Sequence, residues 1–215
     1  ISGMKEPILL DLLYTSNPYA ETQKAPVKHD WLITSDEDVY VNTPSFDAIL
    51  GDKLTAFAPN TTGILYSKNR PVEIVKQLFD VAFLFDRISD IKVVKNTFDK
   101  IAIEEIRYRN LNISTNDVLT DTWNTCFLIA TRDSSSDAFK HIQLGLKNFV
   151  NFTIERFSID EAISASAKVA YLTRLLSKKE IPKIEKFNNP LTIKNWLIEN
   201  LTYNKLNKLK KNNPE

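Results

Sequence analysis

Three ionisable residues stand in apolar surroundings. They are Asp11 in the run Ile8-Leu9-Leu10-Asp11-Leu12-Leu13-Tyr14, Lys53 in a segment otherwise lined by Leu50, Leu54 and Phe57, and Asp80 between Phe79 and Val81. A carboxylate in an apolar strand is costly to bury without a partner, so Asp11 faces either solvent or a site that offers a cation or hydrogen-bond donors. Lys53 is either a surface lysine whose stem lies along apolar neighbours or a cation aimed at an anion. Lys76 and Asp80 are four positions apart and share a helix face. That spacing makes a surface ion pair worth about 0.3 kcal/mol, or a carboxylate that orients a cation. In the second reading Lys53 and Lys76 are phosphate-directed and Asp80 orients one of them. The segment Asn60-Thr61-Thr62-Gly63 offers backbone N–H groups and hydroxyls to a phosphate. It reads equally as a helix C-terminal turn in which Gly63 supplies a positive φ.

Other chemistry-bearing residues form weaker patterns. Asp36-Glu37-Asp38 has metal-binding spacing but follows Ser35 in a polar connection, where a solvated acidic turn is expected. Cys126 lies among Trp123, Phe127, Leu128 and Ile129, the setting of a buried structural thiol. His29 and His141 share no pattern, and with one cysteine they cannot build a conventional zinc site. Only four glycines occur in 215 residues, at 3, 51, 63 and 145. This spacing excludes a Walker A loop and a dinucleotide fingerprint, each of which needs clustered glycines. A lone cysteine permits no internal disulfide, and a cytoplasmic location is expected. No apolar run approaches the length of a membrane span, and no signal-peptide pattern opens the chain.

The elements that must position these residues are mostly helical. Short strands are expected at Ile8–Tyr14, Trp31–Ile33 and Val39–Val41, with polar, proline-containing sequence between them. Thr43-Pro44 reads as an N-cap and first helical residue, followed by Phe46, Ile49, Leu50, Leu54 and Phe57 at helical spacing up to Pro59. Arg70-Pro71 starts a second helix with the stripe Ile74, Val75, Leu78, Phe79, Ala82 and Phe85. Further helices are expected at about 90–110, 116–131, 137–151 and 160–178, with Asn116 and Asp137 as N-caps and Ser158 and Glu161 as a capping box. The fold class expected is α+β and mostly helical, a small remnant sheet at the N-terminus followed by a helical bundle. The chain divides into a sheet region at 1–43, a helical region at 44–178 that carries the Lys and Asp motifs, and a basic segment at 179–215.

Charge is unevenly distributed. The net charge is +1, yet residues 178–215 hold nine lysines against four glutamates. The remainder is therefore acidic. Trp196, Leu197, Ile198 and Leu201 suggest a docked helix in this basic segment, and Lys205–Glu215 is expected to be frayed. Lys205, Lys208, Lys210 and Lys211 would suit an RNA backbone or simply solubilise the chain.

Taken in order, these residues resemble the AbiEii/AbiGii-type nucleotidyltransferase toxins, a branch of the polymerase-β-like nucleotidyltransferases. The resemblance rests on Ile49-Leu50-Gly51-Asp52-Lys53-Leu54-Thr55-Ala56-Phe57-Ala58-Pro59-Asn60-Thr61-Thr62-Gly63 and on Lys76-Gln77-Leu78-Phe79-Asp80-Val81. Leu10-Asp11-Leu12 resembles the strand that supplies the third carboxylate of the superfamily. The motifs span residues 8–86, and beyond them the likeness is only that of a helical C-terminal region.

What the resemblance implies is transfer of a nucleotidyl group from an NTP to an RNA acceptor such as tRNA, within a toxin–antitoxin or abortive-infection system. Asp11, Lys53 and Asp80 would be catalytic, and Thr61, Thr62, Gly63 and Lys76 would bind the nucleotide phosphates. Asp11 would also be a partial Mg²⁺ ligand. A cognate antitoxin would act without a stable direct contact. The family's Gly-Ser turn and Asp-x-Asp pair, which hold two Mg²⁺ ions, are expected upstream of the Asp11 strand, but only seven residues precede it. The chain also opens Ile1-Ser2-Gly3-Met4, either an internal start or three extra residues before a start. These features suggest a truncated or split enzyme, inactive alone, whose exposed strand at Ile8–Tyr14 would favour a homodimer. The competing reading is a non-catalytic helical binding module that retains the scaffold.

Overall fold

The structure, a computed structural model, describes residues 12, 14–30, 33, 38–153, 156–185 and 189–211. Strands β1 (Thr22–Pro26) and β2 (Tyr40–Pro44) precede six helices, α1 (Phe46–Ala56), α2 (Pro71–Phe85), α3 (Ile91–Tyr108), α4 (Thr115–Thr131), α5 (Asp137–Phe149) and α6 (Ile159–Leu176). Short 3₁₀ segments lie at Tyr66–Lys68, Val150–Phe152, Pro190–Ile193 and Asn204–Lys211. The architecture is α+β and mostly helical, with its small antiparallel sheet near the N-terminus, in agreement with the expected class.

The two strands pair from Thr22 opposite Pro44 to Pro26 opposite Tyr40. β1 occupies sequence expected to be a connection. Thr22-Gln23-Lys24-Ala25-Pro26 shows no apolar alternation because four of its five residues are exposed. The expected strand at Val39–Val41 is realised as β2. The expected strand at Ile8–Tyr14, apart from Leu12 and Tyr14, lies outside the described residues, as do Asp11, Trp31 and Leu32.

Helices begin where a side chain satisfies the free N–H groups of the first turn. Pro71 at the first position of α2 and the Ser158–Glu161 box of α6 are as expected. The other caps are displaced. Pro44 ends β2, and Ser45 caps α1 by accepting from the Ala48 N–H at 3.3 Å. Ser114, in a reciprocal box with Asp117, replaces Asn116 at α4, and Ser136 replaces Asp137 at α5.

One core unites all six helices, including Leu50, Leu54, Leu78, Phe98, Ile142 and Leu172. α1 packs on α3 and α2, α2 on α5 and α6, and α4 on α6. Phe46, counted in the apolar stripe, is exposed instead. Gly51 explains the closeness of α1 and α3, since a Cβ there would lie 2.5 Å from the Val94 carbonyl and 2.9 Å from the Phe98 nitrogen. Asp47, only 3% exposed, fixes the other end of the same contact. It accepts from the Ser89 N–H at 3.0 Å, the Ser89 hydroxyl at 2.6 Å and the Asp90 N–H at 2.8 Å.

The basic segment differs from expectation. Trp196, Leu197 and Leu201 are 69, 71 and 85% exposed and form no docked helix. Docking falls instead to Leu206 and Leu209, which pack on the core, and to Tyr203, whose ring meets Phe127 at 5.0 Å. Those apolar residues recur within the 3₁₀ segment and the turn before it, so Asn204–Lys211 is structured rather than frayed.

Candidate functional site

Lys53 projects from the last turn of α1 and meets Asp80, in the middle of α2, with Nζ 3.2 Å from Oδ2. Lys76, one turn earlier on α2, donates to the same Oδ2 at 2.9 Å. Two ammonium groups from different helices therefore share one carboxylate oxygen and can be no farther apart than those two distances combined. At an effective dielectric of about 20, like charges some 5 Å apart repel by roughly 3 kcal/mol, which Asp80 offsets. Side-chain exposures of 31% for Lys53, 23% for Asp80 and 50% for Lys76 place the group at the surface, where each pair contributes at most about 1 kcal/mol to stability. Crowding cations for so little stability suits the binding of an anion with several charges.

The neighbour of Lys53 points elsewhere. Asp52 accepts from the Tyr19 hydroxyl at 2.9 Å, on the α3 side of α1. Burial pushes its carboxyl above the ordinary value, and the negative charge of Glu105 adds to this. The Tyr19 hydrogen bond and the Lys53 charge pull it back. Tyr19 is pushed up to about 12, first by burial and then by the charge and hydrogen bond of Asp52. The Ala20 N–H donates to Thr97 Oγ1 at 3.0 Å, so the segment before β1 is fastened to both α1 and α3. Thus the motif Gly51-Asp52-Lys53 performs three tasks: close approach to α3, anchoring of the upstream chain, and delivery of a cation to α2.

The loop after α1 is turned inward. Asp121 of α4 accepts from the Asn60 N–H at 2.8 Å, the Asn60 amide at 2.7 Å and the Thr61 hydroxyl at 2.9 Å. Thr62, 2% exposed, donates its hydroxyl to the Thr55 carbonyl at 2.8 Å. Gly63 does not have the positive φ expected of a helix-ending glycine. It is required by space, because a Cβ would lie 2.4 Å from the Ala56 carbonyl. In this arrangement the Thr61 and Thr62 hydroxyls are engaged within the protein. Asp121 gave no sequence signal of its own beyond a carboxylate between Val118 and Thr122, both fully buried.

Lys53, Lys76 and Asp80 are therefore brought together, while Thr61, Thr62 and Gly63 are placed in a loop held by α4. Asp11 lies outside the described residues, and so does Asp36-Glu37. Asp38 pairs with Lys28 at 3.6 Å. Cys126 is buried, and burial pushes its thiol up, as a structural role requires. No helix among the described residues is long and apolar enough to cross a membrane. Nor do those residues gather three or more His, Cys, Asp or Glu side chains able to hold a metal ion.

Comparison with curated proteins and with solved structures gives no match. The family model of the nucleotidyl transferase AbiEii toxin, of type IV toxin–antitoxin systems, matches residues 2–165, a span that includes every motif residue above. The chain thus belongs to the AbiEii nucleotidyltransferase toxin family.

Proposed function

We propose that the protein serves nucleotidyl transfer from an NTP to an RNA acceptor such as tRNA, with Lys53 and Lys76 holding the triphosphate. The observation that carries this reading is the convergence of both lysines on Asp80 from two helices. In the transfer an acceptor hydroxyl attacks the α-phosphorus and the bond to pyrophosphate breaks. Lys53 stabilises the charge that gathers on the departing phosphates, a stabilisation greatest in the transition state. Asp80 acts as a positioning residue that keeps the Lys53 ammonium aimed and separated from Lys76. Asp11 would position or deprotonate the acceptor hydroxyl. The loop Asn60–Gly63 sets the path of the chain beside the site, and the hydroxyls of Thr61 and Thr62 serve that loop. The family implies an antitoxin partner, which on this reading acts without a stable complex.

A second reading accommodates the same convergence, since Lys53 and Lys76 meeting on Asp80 can hold an anion without any bond being broken. On that reading the chain is a nucleotide-binding helical module without catalysis. Incubation with α-labelled NTPs, Mg²⁺ and tRNA separates the two. Labelled tRNA that disappears with Lys53→Ala supports transfer. NTP binding that depends on Lys53 but yields no labelled RNA supports the module, and labelling unchanged in Lys53→Ala removes Lys53 from the mechanism.

A further inference from the structure

Beyond Asp80, the solvent face of α2 carries an aromatic residue in the same stripe. Lys76, Asp80, Phe83 and Arg87 follow at intervals of four, three and four, the spacing of one helix face, with Arg87 just past the last turn. Phe83 is 47% exposed. The Arg87 guanidinium carbon lies 3.6 Å from the Phe83 ring centroid, and Nη1 donates to the Phe83 carbonyl at 3.1 Å. Behind it, Phe79 stacks on Phe83 at 6.4 Å and an interplanar angle of 16°. Phe79 is itself fixed edge-on by Phe149 at 5.5 Å and Phe157 at 5.3 Å. The exposed ring is thus backed by packed aromatics and topped by a planar cation.

We infer that Phe83 and Arg87 form the platform on which the base of the bound nucleotide stacks. The inference rests on the phosphate-holding role proposed for Lys53 and Lys76, and it extends that site along α2. Seven residues separate Lys76 from Phe83, about 10 Å at the helical rise of 1.5 Å per residue, close to the reach of a nucleotide from its phosphates to its base. Charge is complementary along the same line, with Lys53, Lys76 and Arg87 opposed by Asp80 alone within the stripe. The outer plane of the guanidinium, held over the Phe83 ring, accepts any base, since stacking does not read hydrogen-bonding edges. The platform therefore supplies affinity with little choice among the four bases.

The test compares ATP, CTP and inorganic tripolyphosphate by titration calorimetry on the full chain in Mg²⁺ buffer. Phe83→Ala should weaken both nucleotides about tenfold and leave tripolyphosphate affinity unchanged, and Arg87→Ala should weaken nucleotides more than tripolyphosphate. Phe83→Trp should retain nucleotide binding, with indole fluorescence quenched by ATP and not by tripolyphosphate. Unchanged ATP affinity in Phe83→Ala, or an equal loss for tripolyphosphate, would overturn the platform. So would a loss confined to a single-stranded RNA oligonucleotide, which would give the ring to the acceptor. If Lys53→Ala leaves tripolyphosphate binding intact, the phosphate site itself is misplaced. That failure is distinct from one in which Lys53 matters and Phe83 does not.

Discussion

Replacing Asp121 tests how the Asn60–Gly63 loop is held. In Asp121→Ala three donors lose their acceptor: the Asn60 N–H, the Asn60 amide and the Thr61 hydroxyl. Hydrogen bonds to a charged group contribute about 1.5–3 kcal/mol each when fully protected. Asn60 is exposed and Thr61 partly so, and water recovers part of the loss. About 1 kcal/mol per bond, or about 3 kcal/mol in all, is expected. For a chain of this size each kcal/mol lowers Tm by about 2–4 °C, giving a fall of about 6–12 °C by thermal circular dichroism. Asp121→Asn should cost about half as much. Its carbonyl oxygen can still accept from the Asn60 N–H and Thr61 hydroxyl. Its amide then faces the Asn60 side chain, which can turn to present its oxygen, and neutral bonds are about half as strong as charge-assisted ones. An Asp121→Ala variant within about 1 kcal/mol of the parent would refute the inward placement of Thr61, as would an Asp121→Asn variant no better than Ala.

Three further outcomes follow from the residues around Lys53. Tyr19 is raised to about 12, so the folded state keeps its phenol proton where the unfolded chain, near 10, has lost it. Stability from this group is complete below about pH 10 and declines as pH rises towards 12. Ultraviolet titration should show late-ionising tyrosine, part of which disappears in Tyr19→Phe; the remainder belongs to Tyr66, also pushed up to about 12 by burial. Asp52, likewise raised, favours its protonated form in the fold, so it opposes folding at neutral pH and less so in acid. Asp52→Asn, retaining an acceptor for Tyr19, should leave denaturant stability at pH 7 unchanged or higher. Finally, Gly51→Ala should force α1 from α3 and cost about 1–3 kcal/mol. Denaturant unfolding measures the cost, and a shift in tripolyphosphate affinity reports any displacement of Lys53; an Ala variant of unchanged stability would deny the close approach.

Much of the helical framework was legible because the apolar spacing of α2 and the Ser158–Glu161 box are local signals that the core reinforces. The caps of α4 and α5 lie one or two residues before the positions that the sequence suggests. In Ser114-Thr115-Asn116-Asp117 several side chains can cap, and the reciprocal Ser114–Asp117 pair decides between them. β1 was not legible, since an exposed two-stranded ribbon places no demand for alternation on Thr22–Pro26. The tail misled in the opposite sense, because the large apolar residues Trp196 and Leu201 are exposed whereas Leu206 and Leu209 provide the contact. At the site, Lys76 and Asp80 follow from helix geometry, but the approach of Lys53 depends on how α1 crosses α2. The Asp121 clasp joins residues sixty positions apart and leaves no mark in local sequence.

On the phosphate-holding role proposed for Lys53 and Lys76, the single carboxylate divided between them also governs how a ligand arrives. Within that triad one positive charge is left over, and at rest monovalent counterions from solution screen it. A polyphosphate or RNA backbone that takes its place returns those ions to bulk, so binding should weaken steadily as ionic strength increases. At physiological salt the attraction extends only about 8 Å, too short to gather ligand from afar. In that proposed role, Asp80 leaves the lysine pair a docking contact whose strength the surrounding electrolyte adjusts.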